Sequence, residues 1–358
     1  MAVLVGFQCY LYEENSERLS QQPFSGLISQ SCMTHVRLIP TSELPESLWR
    51  KGTNCLILPP LLVSAWQALL EAEGLTDKAN LPVPDNLIGG ITKDATNDHL
   101  TWRFTGSSAR VQMAMLDPLS SLDQISDAFA KTFSGGQVFL ADLPCGSGAA
   151  VLTILATIAE LRRTNKVPRT PLHVTVLGGE ISEFARAYAT NAITSLLSAL
   201  EGVGIFVNAE FLKWDACDKF SNADLIKELT LRSQGCGARM IVLANFSGFL
   251  QNSGKWNAAK DQFDALFLHS RDVNSCAIWI EPLTNTVTAT GGFLSRLVNW
   301  FQKVFGALPQ QTQLVGDEDQ PIYGSSNALA QHPLRPEHQF NSNLAVIRFD
   351  LPIKVVSK

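Results

Sequence analysis

The 358-residue chain contains no C-x-x-C pair and no H-x-x-x-H or H-E-x-x-H spacing. Its seven cysteines, at 9, 32, 55, 145, 217, 236 and 276, are odd in number and widely scattered. That argues against a disulfide framework or a zinc knuckle and for reduced thiols in a cytoplasm. The six histidines announce no metal site,. The longest apolar stretches, MIVLANF (240–246) and CAIWI (276–280), fall far short of the roughly 20 residues a membrane helix needs. MAVLVGFQCYLYEE at the start has no basic leader and soon meets acids, so a signal peptide is not expected,. Charged residues make up 17% of the chain and the net charge is −5, which disfavours a broad polyanion-binding surface while leaving room for a local basic patch.

What is present is the apolar content of a globular protein, 46% hydrophobic residues, and from about residue 134 a regular rhythm. GQVFLADLP, PLHVTVLGGE, GIFVNAEFLKWD, ARMIVLANFSGF and SCAIWIEPL read as strands. AAVLTILATIAELRR (149–163), SEFARAYATNAITSLLSALEG, SNADLIKELTLRSQ, NAAKDQFDALFLHSR and GGFLSRLVNWFQKVFG read as the helices that follow them,. Alternation of this kind predicts an α/β fold, a mostly parallel sheet covered by helices. Ser182 is a natural cap for the second of these helices and Gly202 a natural stop,. The polar, turn-rich stretch 307–338 then leads to a terminal strand, NLAVIRFDLPIKVV. Residues 1–95 do not share the rhythm and read as a small N-terminal α+β accessory domain, leaving 96–358 as the main domain. The segment 98–133 leads helically into the first strand, beside a ligand mouth.

The chemistry begins at DLPCGSGAA, residues 142–150. A strand, a glycine-rich turn and a helix start together present unpaired backbone N–H groups to a ligand. A phosphate-binding loop is excluded, because no lysine follows Gly148 to reach a β- or γ-phosphate,. A dinucleotide fingerprint is damaged, because G-S-G-A-A-V puts Val151 where a small residue permits close helix packing,. A turn that merely tightens a strand-to-helix junction is the competing structural reading.

The stretch resembles the first motif of the class I S-adenosylmethionine-dependent methyltransferases, with Asp142 as the strand-end acid and Gly146 and Gly148 as the glycine pair. The resemblance implies a seven-stranded, mostly parallel sheet with helices on both faces, and S-adenosyl-L-methionine as cofactor. A carboxylate suits that molecule, which carries a sulfonium and an ammonium and no phosphate. The resemblance further implies that Glu180 grips the ribose, with Gly178 and Gly179 leaving room for the sugar, and that Asp215 and Ala216 meet the adenine, Asp218 being the alternative acid. Pro144 and Ile181 stand beside these as cofactor contacts. Glu180 follows Asp142 by 38 residues, against about 20 for the analogous dinucleotide acid, which a long first helix together with the basic loop RRTNKVPRTP explains. Asn245 occupies the position of a catalytic polar residue after the fourth strand, but Phe246, Ser247 and Gly248 replace the remainder of the family's motif there, so amino-methylation of adenine gains no support. Phe246 and Phe249 are candidate stacking residues, with core packing as the alternative.

Arg103, Ser107, Ser108 and Arg110 lie where such enzymes cover the methionine end, and Arg110 is the chosen carboxylate partner. Methyl transfer by in-line displacement needs alignment more than an acid or base. Asn245 and Glu281 are the catalytic candidates, His269 falls away from the site, and Cys145 reads as a small turn residue. Arg162, Arg163, Lys166 and Arg169 read as a solvated helix-end run before they read as a phosphate site. The acceptor stays open among RNA, DNA, protein and metabolites, with the extra segments favouring a macromolecule. A catalytically silent binding subunit and a nicotinamide-dependent oxidoreductase remain the rival readings.

Overall fold

Four runs of apolar residues that bury nearly every side chain form the centre of the sheet. In the computed structural model, which describes residues 37–84, 87, 89–134, 136–252, 254–289, 292–305 and 320–352, these are β3 (Gln137–Asp142), β4 (Leu172–Glu180), β6 (Ala238–Ala244) and β7 (Ser275–Pro282). With the more exposed β5 (Ile205–Lys213) they are all parallel, ordered β5-β4-β3-β6-β7. Side chains alternate across this layer with period two. Val138, Leu140, Met240, Val242, Ile278 and Ile280 enter one core, whereas Phe139, Ala141, Ile241, Leu243, Ala277 and Trp279 enter the other.

The first core is covered by α1 (Pro60–Ala72), α3 (Lys93–Trp102), α4 (Phe104–Leu116), α5 (Asp123–Phe133), α6 (Ala149–Arg163) and α7 (Glu183–Glu201). The second is covered by α8 (Lys219–Arg232), α10 (Trp256–His269) and α12 (Phe293–Phe305), an aromatic-rich layer in which Phe263, Phe267, Trp279, Trp300 and Phe301 pack together. Short helices α2 (Thr76–Ala79), α9 (Ser247–Asn252) and α11 (Asn285–Thr288) complete the set. Ser182 caps α7 by accepting from Ala185 N at 3.3 Å, and Gly202 ends it.

Among the described residues the sheet has nine strands, not the seven expected. Beyond β7 lie the antiparallel hairpin β9 (Arg335–Asp350) and β8 (Ile322–His332), and then two-residue strands β2 (Cys55–Leu56) and β1 (Trp49–Arg50). The strand β8 was hidden because IYGSSNALAQH is rich in turn residues; it exists because it pairs with β9 along its length, a tertiary choice that overrides local propensity,. For the same reason β9 begins at Arg335 and not at 343.

The described part of the expected accessory domain is joined to the main sheet. Cys55 and Leu56 pair with Leu329 and Ala330, and α1 buries Leu62, Ala65, Trp66 and Leu70 in the first core. The described residues belong to one compact unit that begins at His35. MAVLVGFQCYLY, the first two residues of HVRLI, the stretch 306–319 and the tail from 353 lie outside the described residues, while Arg37, Leu38 and Ile39, read from the sequence as part of a strand, form none.

Candidate functional site

In an open parallel sheet, ligands bind beyond the carboxyl ends of the strands at the point where the strand order reverses. Here that point lies between β3 and β6: the chain leaves β3 towards β4 and β5 on one side, and β6 leads to β7 on the other. Asp142 ends β3 and Asn245 follows β6, so both stand at the switch point. Glu180, Asp215 and Glu281 end or follow β4, β5 and β7 at the same sheet edge. His269 is exposed at the end of α10, which runs back from this edge to the opposite one.

The turn after β3 is built by its own backbone. The Leu143–Pro144 peptide is cis, Cys145 N donates to Gly179 O at 3.0 Å, and Gly148 N donates to Cys145 O at 2.8 Å. Gly146 (φ +51°) and Gly148 (φ +83°) both adopt left-handed backbone, where a side chain is strained. They differ in their surroundings. A Cβ on Gly148 would lie 3.2 Å from Ala189 Cβ on α7, whereas one on Gly146 meets nothing within 4 Å. Gly148 therefore serves helix packing, and Gly146 faces open space.

Asp142 is buried, 1% exposed. Its Oδ2 accepts from Val151 N at 3.1 Å, tying the strand end to the first turn of α6, but its Oδ1 is buried with no hydrogen-bond partner among the described residues. Burial pushes its pKa up to about 7, with the negative charge of Glu180 adding to the effect and the Val151 amide opposing it. Glu180 accepts from Gly146 N at 3.1 Å and Ser182 N at 2.9 Å, and burial raises its pKa as well. Arg186 donates to the Glu180 and Ile181 carbonyls and not to the carboxylate. Two carboxyl groups thus flank one glycine turn with no cationic hydrogen-bond partner among the described residues, an arrangement that favours a positively charged guest. The Cys145 thiol is held protonated by burial, then by Asp142 and Glu180, which makes it a poor nucleophile.

Gly178 and Gly179 do not leave room for a sugar. A Cβ on Gly178 would lie 2.2 Å from Phe211 Cδ1, and one on Gly179 would lie 2.6 Å from Leu143 Cδ2. The double glycine admits protein side chains. At the next strand end the two acids separate by role: Asp218 caps α8 by accepting from Phe220 N and Ser221 N, while Asp215 turns the chain by accepting from Cys217 N at 2.9 Å. Ala216 is buried, and Trp214 sits in the core with its indole N–H on Asn222.

Asn245 has φ +58° and its Oδ1 accepts from Arg110 Nε at 2.9 Å, which brings α4 to the switch point. Glu281 is fully buried and its carboxylate takes four donors: Phe246 N at 2.9 Å, Ser247 N at 2.8 Å, Ser247 Oγ at 2.7 Å and Trp279 Nε1 at 2.7 Å. So engaged, Glu281 holds the 245–247 loop in place. Phe246 and Phe249 stack on each other, centroids 5.2 Å apart. Ser107 and Ser108 are buried in α4, facing away from solvent. The basic run after α6 is structural in part: Arg162 is buried and donates to the Val203 and Gly204 carbonyls, and Arg163 pairs with Glu160.

No family model matches the chain, and no curated protein is significantly similar to it. Among solved structures it is similar to the glycopeptide N-methyltransferase MtfA complexed with sinefungin, at 10% identity over 63% of this chain and 86% of that one, with a TM-score of 0.27. It is similar too to a geranyl diphosphate methyltransferase in complex with GPP and sinefungin, at 10% identity over 81% and 99% of the two chains, with a TM-score of 0.26. Likeness this weak assigns neither a detailed fold nor an activity to this chain.

Two features were missed by sequence reading: the Val151 amide as the partner of Asp142, and His99, which shares a helical face with Arg103 and Arg110. The first had no sequence signal. The second did, in the four- and seven-residue spacing of the three side chains.

Proposed function

We propose that the protein is an S-adenosyl-L-methionine-dependent methyltransferase whose cofactor lies across the carboxyl ends of β3, β4 and β5. The observation that carries the reading is the buried Oδ1 of Asp142, unpartnered among the described residues, at the strand end that leads into the turn where Gly146 meets open space. A phosphate-bearing ligand would be repelled by Asp142 and Glu180, whereas an ammonium and a sulfonium would be attracted. The sheet argues in the same direction against a nicotinamide dinucleotide: next to β7 stands the antiparallel β9, where a dinucleotide-binding sheet carries a further parallel strand.

When bound, the cofactor would supply a methyl group on a positively charged sulfur. Asp142 holds the cationic end, Gly146 lets it approach the turn beside Pro144, Glu180 and Ile181 line the ribose side, and Asp215 with Ala216 line the base side. Arg110 takes the carboxylate, and Asn245 orients both Arg110 and the acceptor atom. Glu281 positions the loop that carries Asn245. The residues present align two reactants and exclude water, and alignment of this kind is sufficient for an in-line displacement.

Calorimetry tests the reading directly. S-adenosylmethionine is expected to bind wild type in the micromolar range and Asp142→Ala at least tenfold more weakly; no heat from wild type at high micromolar cofactor would overturn it. Transfer of a labelled methyl group into fractionated RNA, DNA, protein and metabolites then identifies the acceptor.

A further inference from the structure

The face of α3 and α4 that looks toward Asn245 carries more positive charge than one cofactor carboxylate can use. Arg103 joins the two helices without interrupting the hydrogen-bond pattern: Arg103 N donates to His99 O at 2.9 Å, and Ser107 N donates to Arg103 O at 3.0 Å. Helical rotation therefore continues, and His99, Arg103, Gly106 and Arg110 fall on one stripe,. Gly106 lies inside a helix, where glycine costs about 1 kcal/mol relative to alanine. Its bare surface lies under the Arg110 guanidinium, a Cβ there standing 3.7 Å from Nη1. The missing side chain lets the Arg110 guanidinium lie close against the helix.

None of the three basic side chains has a carboxylate within ion-pair distance among the described residues, and Arg110 alone is hydrogen-bonded, through Nε to a neutral amide oxygen. The negative group that Arg110 feels most is Glu281, whose carboxylate is already taken by four donors. Burial, with Glu281 opposing and Arg103 adding, brings Arg110 down to about 10, and burial, with both arginines adding, brings His99 down to about 4. Burial is the first cause of both shifts, and neighbouring positive charge acts in the same direction on each,. Across eleven residues of helix the stripe extends roughly 16 Å, more than a single carboxylate spans.

We propose that His99 and Arg103, at the far end of this stripe from Asn245, bind an oxyanion of phosphate or carboxylate type carried by the methyl acceptor. The cofactor's own carboxylate stays with Arg110. The inference rests on the methyltransferase reading for the word acceptor, but the anion site itself stands on the stripe. Its chemistry is that of an arginine fork beside a neutral imidazole N–H donor, both matched to a planar or tetrahedral oxyanion.

Inorganic phosphate is the probe. Titrated into the full chain and followed by calorimetry and by the ring signals of His99 in NMR, it is expected to bind and to move the His99 titration upward from about 4. Arg103→Ala, whose side chain makes no hydrogen bond among the described residues and whose melting temperature should be unchanged, is expected to weaken phosphate about tenfold. Both effects should persist with saturating S-adenosylhomocysteine. Equal affinity in wild type and Arg103→Ala, or an unmoved His99, would refute the site. Loss of phosphate binding once S-adenosylhomocysteine is present would assign the anion to the cofactor and also refute it. Phosphate binding through Arg103 in a chain that never binds S-adenosylhomocysteine would keep the anion site and remove the methyltransferase reading, so the two failures are distinguishable.

Discussion

Asp142 Oδ2 accepts a hydrogen bond from the Val151 amide at 3.1 Å while Asp142 Oδ1, on the same carboxyl group, is buried without a partner among the described residues. One oxygen fastens the end of β3 to the start of α6, and the other has no hydrogen-bond partner among the described residues. The arrangement costs stability. A carboxyl group whose pKa in the folded protein is raised from 3.8 to about 7 is penalised once it ionises, and the penalty is absent below the unfolded value and complete above the folded one. Stability is expected to fall as pH rises from about 4 to about 7. Asp142→Asn, which keeps an acceptor for Val151, should remove that part of the pH dependence and melt higher than wild type at pH 8, as read by thermal denaturation across pH.

A cation bound against Asp142 reverses the penalty, because it favours the ionised form. Cofactor affinity is therefore expected to rise with pH between about 6 and 8, with proton release on binding near pH 7, where Asp142 is close to half-protonated. Calorimetry in two buffers of different ionisation enthalpy measures the released proton. Asp142→Asn should release none, and a pH-independent affinity in wild type would separate Asp142 from the ligand.

The two glycines of the turn should respond differently to alanine. Both have positive φ, which costs an alanine roughly 1–2 kcal/mol. Gly148→Ala adds contacts at 3.2 Å with Ala189 Cβ and Leu152 Cδ1 and is expected to lower stability the more. Gly146→Ala meets open space, so its larger effect should be on cofactor affinity, at least tenfold. Denaturant titration and calorimetry on the pair separate the packing glycine from the binding one.

Glu281 takes four donors in a fully buried setting. In Glu281→Gln an amide N–H₂ must face at least one of them, a loss of about 1–3 kcal/mol for an unsatisfied buried donor. The 245–247 loop should loosen with it, weakening cofactor binding through Asn245 and Arg110. A shift in the pH–rate profile, in place of uniform lowering at every pH, would return Glu281 to the role of base.

Phe211 fills the space over Gly178 that the sequence had suggested for a sugar, its Cδ1 standing 2.2 Å from a Cβ built there. Gly178→Ala is expected to cost about 1–3 kcal/mol by overpacking, and less in a Phe211→Ala background. Additive effects in that double-mutant cycle would show that another contact dictates the glycine.

Much of the architecture was legible because burial leaves a local signature. The runs QVFLAD and SCAIWIEP are apolar on both faces, as strands inside a covered parallel sheet must be,, and Ser182 and Gly202 mark the ends of α7 in the sequence itself. The hairpin strand β8 and the short β1 and β2 were not legible, since Gly, Ser and Asn become strand residues there only through pairing with β9 and β8,.

The site divides along the same line. Sequence alone determined which residue types stand at each strand end, because the alternation of strand and helix delivers Asp142, Glu180, Asp215, Asn245 and Glu281 to one edge in order. Tertiary structure alone decided what each is free to do. It left one oxygen of Asp142 unpartnered, surrounded Glu281 with donors, filled the glycines of β4 with Phe211 and Leu143, and carried Arg110 across from α4 to Asn245. Hydrogen-bond capacity and free volume are properties of neighbours, and those neighbours lie far apart along the chain.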